Sequence, residues 1–368
     1  MEKNNLKLEY SSQLDGLRFF AIFMVMIGHW LQLKFTNPIF SKAPFTHGVT
    51  LFFVLSGFLI TRILLVYKKE YEESRGPRMQ LIKNFYIRRV LRIFPIYYLT
   101  IILLYSIDYK NSHEIAPWLF TYTSNIYQSI HKVFIDDFNH FWSLAVEEQF
   151  YLVWPWIIVF IKPKHVFKVI VFSIIVSILS KAWIYVYTDN WMANQYLMFS
   201  CFYALALGAL IAYVSIYKIT LAENLKKPIW VWSAILMYLA IYYLLVIRNN
   251  TPLFVEVFDG LFFAITAAFI ILRASQNGFR FIPKYILENK FIVYSGRISY
   301  GIYVYHLFMP QLFIFLNRYV QITSTSKYTW FILYFLLTFL VAHISWKIIE
   351  KPINKLNKYF PYSMHKKT

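Results

Sequence analysis

The 368-residue chain has few charged residues and almost no cysteine. Charged residues make up 15% of it and hydrophobic residues 59%, whereas about 25% of a soluble globular protein is charged. Its one cysteine, Cys201, lies in an apolar stretch, which excludes an internal disulfide and a cysteine metal site. Because no long polar region interrupts the apolar segments, we expect no attached soluble domain and predict a polytopic membrane protein.

Acidic residues are also scarce, with 18 against 37 lysines and arginines, which gives a net charge of +19. A strongly basic chain can bind nucleic acid, but here the basic residues follow a membrane pattern. Alternate connections between the predicted helices, together with the two termini, hold 27 of them, and the intervening connections hold seven. The positive-inside rule therefore predicts cytoplasmic termini and no nucleic-acid partner.

We predict an all-α bundle of about ten membrane-spanning helices, with a single domain over 1–356 and a short basic cytoplasmic tail, 357–368. The first apolar run does not have the features of a signal peptide, because it contains Asp15 and Arg18 and lacks a small-residue cleavage site. At about 20 apolar residues per span, the predicted spans are 14–34, 47–67, 93–108, 143–161, 166–186, 196–217, 228–247, 254–273, 298–316 and 329–349.

The first predicted helix carries Arg18 and His29, two residues that a lipid-spanning helix rarely contains without a use for them. Eleven helical steps place them about 16 Å apart along the axis and nearly on the same face. Since the helix starts inside, Arg18 would lie near the cytoplasmic face and His29 in the outer third. We interpret this helix as one wall of a polar path through the membrane.

The fourth predicted span begins outside with FWSLAVEEQFYLVWPW, which brings Glu147 and Glu148 to a depth similar to that of His29. A carboxylate beside a neutral histidine favours one tautomer and stabilises the imidazolium that forms. We therefore predict His29, Glu148 and Glu147 as catalytic residues, with His29 and Glu148 as the base and its partner. The alternative is that His29 is a polar residue that holds helices together.

Four more residues are predicted to face substrate or a pore: Asp15, Ser56, Trp142 and His306. Ser56 and His306 fall near the middle of their predicted spans. Trp142 also fits an aromatic belt at a span end, and His306 also fits a structural residue hydrogen-bonded across the bundle.

The segment NFYIRRVLRIFPIYY places Arg88, Arg89 and Arg92 within about one helical turn, just before the third predicted span. Arginine forks suit phosphate oxygens, so these three residues are predicted to bind phosphate groups. The alternative is a topogenic charge block or a lipid-headgroup contact. We predict no metal site, since the one cluster of histidines and aspartates, in 131–140, matches no familiar ligand spacing.

Together these segments resemble the acyltransferase type 3 family, the bacterial membrane-bound O-acyltransferases that modify surface polysaccharides, peptidoglycan and some small molecules. The resemblance covers nearly the whole chain, with six segments in the family's order: LDGLR followed by the histidine, GVTLFFVLSGFLI, IRRVLRIFP, FWSLAVEEQFYL, ISYGIYVYHLF and EKP. The family's Arg-x10-His element falls at Arg18 and His29. No esterase-like domain follows the last helix, so we expect no relay to a second catalytic domain within this chain.

The resemblance implies a cytoplasmic acyl-coenzyme A donor, most often acetyl-coenzyme A, with no permanently bound cofactor. It also implies an acceptor hydroxyl on a cell-envelope glycan or a related sugar, in the bacterial cytoplasmic membrane. The coenzyme A phosphates would lie near Arg18 and the three clustered arginines, and His29, helped by Glu148, would deprotonate the acceptor hydroxyl. A covalent route through Ser56 is less favoured, because nothing resembles a nucleophile elbow.

A transporter or flippase for a lipid-linked sugar or acyl species is the alternative function, because ten helices with intramembrane ionisable residues suit it equally well. A scaffold without acylation activity ranks last, since it leaves Arg18 and His29 without a purpose. The sequence does not indicate which glycan is the acceptor, which acyl group is transferred, from which side the acceptor enters or what the oligomeric state is.

Overall fold

The computed structural model describes residues 10–32, 41–74, 76–249, 251–323 and 326–363. Within these ranges the chain is helical and contains no β-strand, which confirms the predicted all-α class. In the described part of the chain, six helices are long and apolar enough to cross a membrane. The count of about ten and the orientation of the termini stay predictions. The six are Pro44–Glu73, Pro163–Tyr187, Trp191–Tyr217, Pro228–Arg248, Phe254–Ala274 and Lys327–Tyr359.

We number the α-helices of the described chain in order. The first six are α1 (Ser12–Trp30), α2 (Gly48–Glu73), α3 (Arg78–Ser106), α4 (Ser112–Phe120), α5 (Ser124–His131) and α6 (Phe141–Phe160). The next six are α7 (Pro163–Tyr187), α8 (Trp191–Tyr196), α9 (Met198–Tyr217), α10 (Ile219–Leu225), α11 (Pro228–Tyr242) and α12 (Asp259–Ala274). The last six are α13 (Phe281–Leu287), α14 (Lys290–Arg297), α15 (Ser299–Tyr305), α16 (Met309–Val320), α17 (Lys327–Ser345) and α18 (Lys351–Asn354). Segments of π-helix extend α11, α12 and α17 at Tyr243–Arg248, Phe254–Phe258 and Trp346–Glu350.

Helix α2 contacts α1, α3, α6, α9 and α12, and its closest neighbour is α9. Glycines make this approach possible. A Cβ on Gly57 would overlap the carbonyl oxygen of Leu205, and a Cβ on Gly208 would overlap that of Val54. Small residues of this kind let membrane helices come into backbone contact, so the two glycines fix the position of α2 in the bundle.

The short helices α13 and α14 pack against the beginning of α1, again through glycine. A Cβ on Gly16 would overlap the carbonyl oxygen of Leu287, and a Cβ on Gly296 would overlap that of Asp15. The predicted connection 273–297 is therefore built around α1, and it fixes the turn that carries Asp15 and Arg18.

Two predicted stretches differ from the structure. The long connection 109–142 contains α4 and α5, and α5 packs on α6 and α8. The predicted span 298–316 is interrupted, because α15 ends at Tyr305 and α16 begins at Met309. Pro310 stands in the first turn of α16, where a proline ring is accommodated and its missing N–H is not needed.

The predicted tail 357–368 is described as far as residue 363, and 364–368 lie outside the described residues. Its first residues pack back on the bundle. The Asn84 side chain donates to the carbonyl oxygen of Pro361 at 2.6 Å, and the Ser363 hydroxyl donates to Glu70 Oε1 at 2.6 Å. This part of the chain is thus attached to α2 and α3.

Candidate active site

A cavity of about 240 Å³ lies between α1, α2, α3, α6 and α15. Its charged lining residues are Arg18, Arg89, Arg92, Glu147 and Glu148, and we name it the arginine cavity. Because the lining has three guanidinium groups and only two carboxylates, this helix-enclosed cavity favours an anionic ligand.

Arg18 is held in this cavity by an ion pair with Asp15, one turn earlier on α1. The other oxygen of Asp15 accepts a hydrogen bond from the Tyr10 hydroxyl at 2.7 Å and lies 3.4 Å from Arg297 Nε. Burial, and the hydrogen bond to Asp15, raise the pKa of Tyr10 above its ordinary value, so the phenol stays a donor. Asp15 itself is buried and does not line the cavity. The sequence predicts that this residue faces substrate or a pore.

Arg89 and Arg92 face the arginine cavity from α3. The Arg89 guanidinium lies over the rings of Phe85 and Tyr151, at 5.5 and 5.3 Å from their centroids. Its buried Nε has no hydrogen-bond partner in the described chain. A buried donor without a partner costs free energy, so Arg89 is suited to a ligand that supplies an oxygen.

Arg88 does not share this position, although the sequence grouped it with Arg89 and Arg92. Its guanidinium donates to the carbonyl oxygens of Asn357 and Phe360, at 2.8 and 3.1 Å, and lies 4.6 Å from the ring centroid of Tyr362. These contacts bind the segment after α18 to α3. The sequence predicts that Arg88 binds a cofactor. The contacts of Arg88 instead fit a structural role, in which it attaches the segment after α18 to α3.

Glu147 is fixed by two hydroxyl groups in the arginine cavity. Ser56 donates to Glu147 Oε1 at 2.8 Å, and the Tyr151 hydroxyl lies 3.1 Å from Glu147 Oε2 and 3.2 Å from Ser56 Oγ. Ser56 lines this cavity, and its hydroxyl proton is directed to a carboxylate. Its substrate-facing role stays a prediction. Glu148 lines the same cavity.

A second cavity, of about 380 Å³, contains His29 and His47, and we name it the histidine cavity. Its other polar and aromatic lining residues come mostly from α2, α6, α7, α8, α9 and the start of α12. They are Thr46, Thr50, Asn139, Trp142, Lys181, Trp191, Gln195, Tyr196, Cys201, Tyr203, Glu256, Asp259 and Tyr303.

The two cavities share three lining residues, Val49, Phe53 and Tyr303. The Tyr303 hydroxyl is hydrogen-bonded to Ser143 and donates to the carbonyl oxygen of His140 at 3.0 Å. These bonds fix the ring of Tyr303 between the cavities. We name the three shared residues the septum.

His29 makes its hydrogen bond with His306, and the partners define the tautomers of both rings. His306 Nδ1 lies 2.6 Å from the carbonyl oxygen of Tyr303, and His306 Nε2 lies 2.8 Å from His29 Nδ1. A carbonyl oxygen only accepts, so His306 Nδ1 carries the proton and the Nε2 atom of the neutral ring accepts. His29 Nδ1 is then the donor, which leaves a lone pair on His29 Nε2.

The predicted pairing of His29 with Glu148 is not found, because the partner of His29 is His306 and Glu148 borders the other cavity. His306 is fully buried behind His29 and lines neither cavity. Trp142 does line the histidine cavity, where its ring is stacked on Tyr196 at 4.5 Å between centroids.

Sequence reasoning missed a second histidine pair, His47 with Asp259. His47 Nε2 lies 2.7 Å from Asp259 Oδ2, and the Tyr238 hydroxyl donates to Asp259 Oδ1 at 3.1 Å. A signal was present, since Asp259 and Glu256 are acidic residues in a predicted membrane span, a placement that usually marks a polar partner. The sequence does not indicate that this partner is His47, which lies 212 residues earlier in the chain.

Comparison with known proteins identifies relatives over nearly the whole chain. A family model described as "Acyltransferase domain" matches residues 11–347. No solved structure matches the chain.

Curated relatives carry acetyltransferase names. The peptidoglycan O-acetyltransferase OatA of Listeria monocytogenes is 29% identical over 372 residues, which cover 94% of this chain and 56% of that protein. The O-acetyltransferase OatA of Staphylococcus aureus MRSA252 is 28% identical over 389 residues, with 98% and 60% covered. A putative O-acetyltransferase of S. aureus MSSA476 is 28% identical over 372 residues, with 95% and 58% covered. The chain thus spans less than two thirds of the length of these relatives.

Proposed function

The chain belongs to the acyltransferase type 3 family, and from this premise we propose that it is an O-acetyltransferase of the bacterial cytoplasmic membrane. It transfers an acetyl group from cytoplasmic acetyl-coenzyme A to a hydroxyl of a cell-wall glycan, the acceptor that the name of the Listeria relative suggests. The observation that carries the proposal is a cavity with three arginines that meets, at a septum of three residues, a cavity containing a histidine with a free lone pair.

The arginine cavity is the donor side of this proposal. The positive-inside pattern assigns the Arg18 end of α1 to the cytoplasm, where acyl-coenzyme A is found. Arg18, Arg89 and Arg92 bind the phosphates of the donor, since guanidinium forks match phosphate oxygens. Glu147, held by Ser56 and Tyr151, and Glu148 lie on this side and partly balance the arginines, which is a different role from that expected beside His29.

The chemical step takes place at His29. The pantetheine arm carries the thioester to the septum, a rise of about 16 Å along α1. His29 Nε2 accepts the proton of the acceptor hydroxyl while the hydroxyl oxygen forms a bond to the thioester carbonyl carbon. The carbon–sulfur bond then breaks, and the proton passes to the sulfur, which leaves as the free thiol of coenzyme A. His306 accepts the hydrogen bond of His29 Nδ1 throughout and so favours the imidazolium.

A transporter or flippase is not favoured, because the named relatives are acetyltransferases. Purified protein in detergent separates the two functions, since an enzyme transfers or hydrolyses acetyl-coenzyme A without any gradient. We expect His29→Ala to lower acetyl transfer at least 100-fold while coenzyme A binding stays within about twofold of wild type, because His29 lies in the other cavity.

The matched control is His343→Ala. His343 is also a hydrogen-bonded histidine, with Tyr294 as its partner at 2.7 Å, but it lines neither cavity. Its activity should equal that of wild type. Full transfer by the His29 variant would overturn the mechanism, and a wild-type protein that neither hydrolyses nor transfers from acetyl-coenzyme A would overturn the function.

A further inference from the structure

The histidine cavity contains polar groups that the acetyl-transfer step at His29 does not use. His47 and Asp259 form one pair, and Lys181 and Glu256 lie in the same lining. Lys181 donates to the carbonyl oxygen of Asn194 at 3.0 Å. With neutral histidines, this cavity has two carboxylates and one ammonium group, the opposite balance to that of the arginine cavity. It therefore favours an uncharged ligand with many hydrogen-bonding groups over a phosphate.

The hydrogen bonds of His47 determine which of its nitrogens a ligand can use. The carboxylate of Asp259 only accepts, so His47 Nε2 is the donor, and Nδ1 of the neutral ring keeps a lone pair. Thr50 Oγ1 lies 3.4 Å from Nδ1, which is longer than the usual distance for a hydrogen bond of this kind. Tyr238, which does not line the cavity, donates to the other oxygen of Asp259, so the His47 ring is oriented by protein groups before any ligand binds.

The size and aromatic content of the cavity match a sugar ring. Its volume of about 380 Å³ falls in the range of small-molecule sites, and Trp142, stacked on Tyr196, and Trp191 contribute aromatic surface to the lining. Carboxylates, amides and aromatic rings together provide acceptors, donors and apolar faces for a polar ring.

We propose that the histidine cavity binds one uncharged N-acetyl amino sugar of the acceptor glycan, and that His47, oriented by Asp259, accepts a hydrogen bond from a sugar hydroxyl through Nδ1. This inference rests on the proposed acetyl transfer and names its acceptor site. His47 binds and orients the sugar, and His29 removes the proton from the hydroxyl that is acetylated.

The test uses the full-length protein in detergent, acetyl-coenzyme A, and the soluble tetramer of β-1,4-linked N-acetylglucosamine as acceptor. His47→Gln and Asp259→Asn should each raise the KM for the tetramer about tenfold or more, the cost of a lost or misaligned hydrogen bond. Both variants should leave the affinity for coenzyme A unchanged, because the arginine cavity is intact. His343→Gln is the control for replacing a hydrogen-bonded histidine.

The outcomes separate this inference from the proposed function. If the pair only ties α2 to α12, both variants would lower the melting temperature and would reduce hydrolysis and transfer by the same factor, which would overturn the binding role. A wild-type enzyme that hydrolyses acetyl-coenzyme A but is not saturated by the tetramer would overturn the sugar class. Failure of the proposed function is distinct, since wild type would then not act on acetyl-coenzyme A at all.

Discussion

At the scale of single residues, the hydrogen bond with His306 orients His29, the proposed base. His306 takes the place that a carboxylate has in many acid–base pairs, and the carbonyl oxygen of Tyr303 fixes its tautomer. A neutral partner stabilises an imidazolium less than a carboxylate does, but it adds no charge to a membrane interior, where a charge is costly.

This arrangement predicts different effects for two substitutions of His306. A glutamine can donate its amide to the Tyr303 carbonyl oxygen and accept from His29 Nδ1 through its oxygen, whereas a leucine can do neither. We expect His306→Leu to lower kcat about 100-fold and His306→Gln to recover most of that loss, with the KM for acetyl-coenzyme A unchanged in both. Equal losses in the two variants would show that His306 matters only for packing.

The arginines of α3 provide a second residue-scale prediction. Arg89→Gln and Arg92→Gln should each weaken coenzyme A binding about tenfold or more, as expected for the loss of a charge-assisted hydrogen bond, and the effect should shrink at high salt. Arg88→Gln is the matched control on the same helix. It should keep coenzyme A affinity and lower the melting temperature, because Arg88 binds Asn357 and Phe360. Titration calorimetry at two salt concentrations measures the difference, and weaker binding by all three variants would favour a shared phosphate site.

Part of this site could be predicted from the sequence, because some of it is local. The spacing of Arg18 and His29 on one helix fixes their depth and face, and both residues line cavities. The partner of His29 was not predictable, since His306 is 277 residues away and which helices are neighbours is a tertiary property. Likewise Arg88 and Arg92 are one turn apart on α3, but their contacts differ. Arg88 contacts residues 357–362, whose position against α3 is a tertiary property that the sequence does not indicate.

At the scale of elements, the approach of α2 to α9 decides where the septum lies, because Val49 stands two turns and Phe53 one turn before Gly57 on α2. Glycines in two apolar spans permit close helix contacts, but neither they nor the amphipathic pattern indicates which helices meet. Both Gly57 and Gly208 touch backbone atoms of the other helix.

A methyl group at this contact should therefore be costly. A Cβ on Gly208 would meet backbone atoms of Val54, Gly57 and Phe58, which cannot move as a side chain can, so we expect Gly208→Ala to reduce the free energy of unfolding by about 2 kcal/mol. Gly28→Ala is the control, since the nearest atom to its added Cβ would be Gln32 Oε1 at 3.6 Å, an ordinary contact. Thermal unfolding in detergent compares them, and equal melting temperatures would argue against close packing of α2 on α9.

The interruption between α15 and α16 is a feature that hydropathy alone did not indicate. An apolar run with a single histidine predicts one continuous helix, but the chain turns at residues 306–308 before Pro310. His306 is the first residue of the turn, and Pro310 follows the turn in the first turn of α16. An intramembrane histidine followed by a proline within one helical turn is the sequence signal for such a break.

At the scale of the whole molecule, the function requires a definite orientation, with the arginine cavity facing the cytoplasm. The lone cysteine makes this testable, because Cys201→Ala removes every native thiol. In that background we expect Lys164→Cys to react with a membrane-impermeant maleimide only after the cells are opened, and Lys132→Cys to react in intact cells. Both positions are exposed. The reverse pattern would place acetyl-coenzyme A on the wrong side for the proposed transfer.

The septum has a consequence for the membrane as an electrical insulator. Elsewhere a hydrocarbon layer of about 30 Å separates the two aqueous phases, but here two polar cavities meet at Val49, Phe53 and Tyr303. In the proposed orientation, the cell's ion gradients depend at this place on two apolar side chains and a tyrosine whose hydroxyl is bonded within the protein. The proposed reaction must bring an acetyl group to this point while protons and sodium ions stay behind.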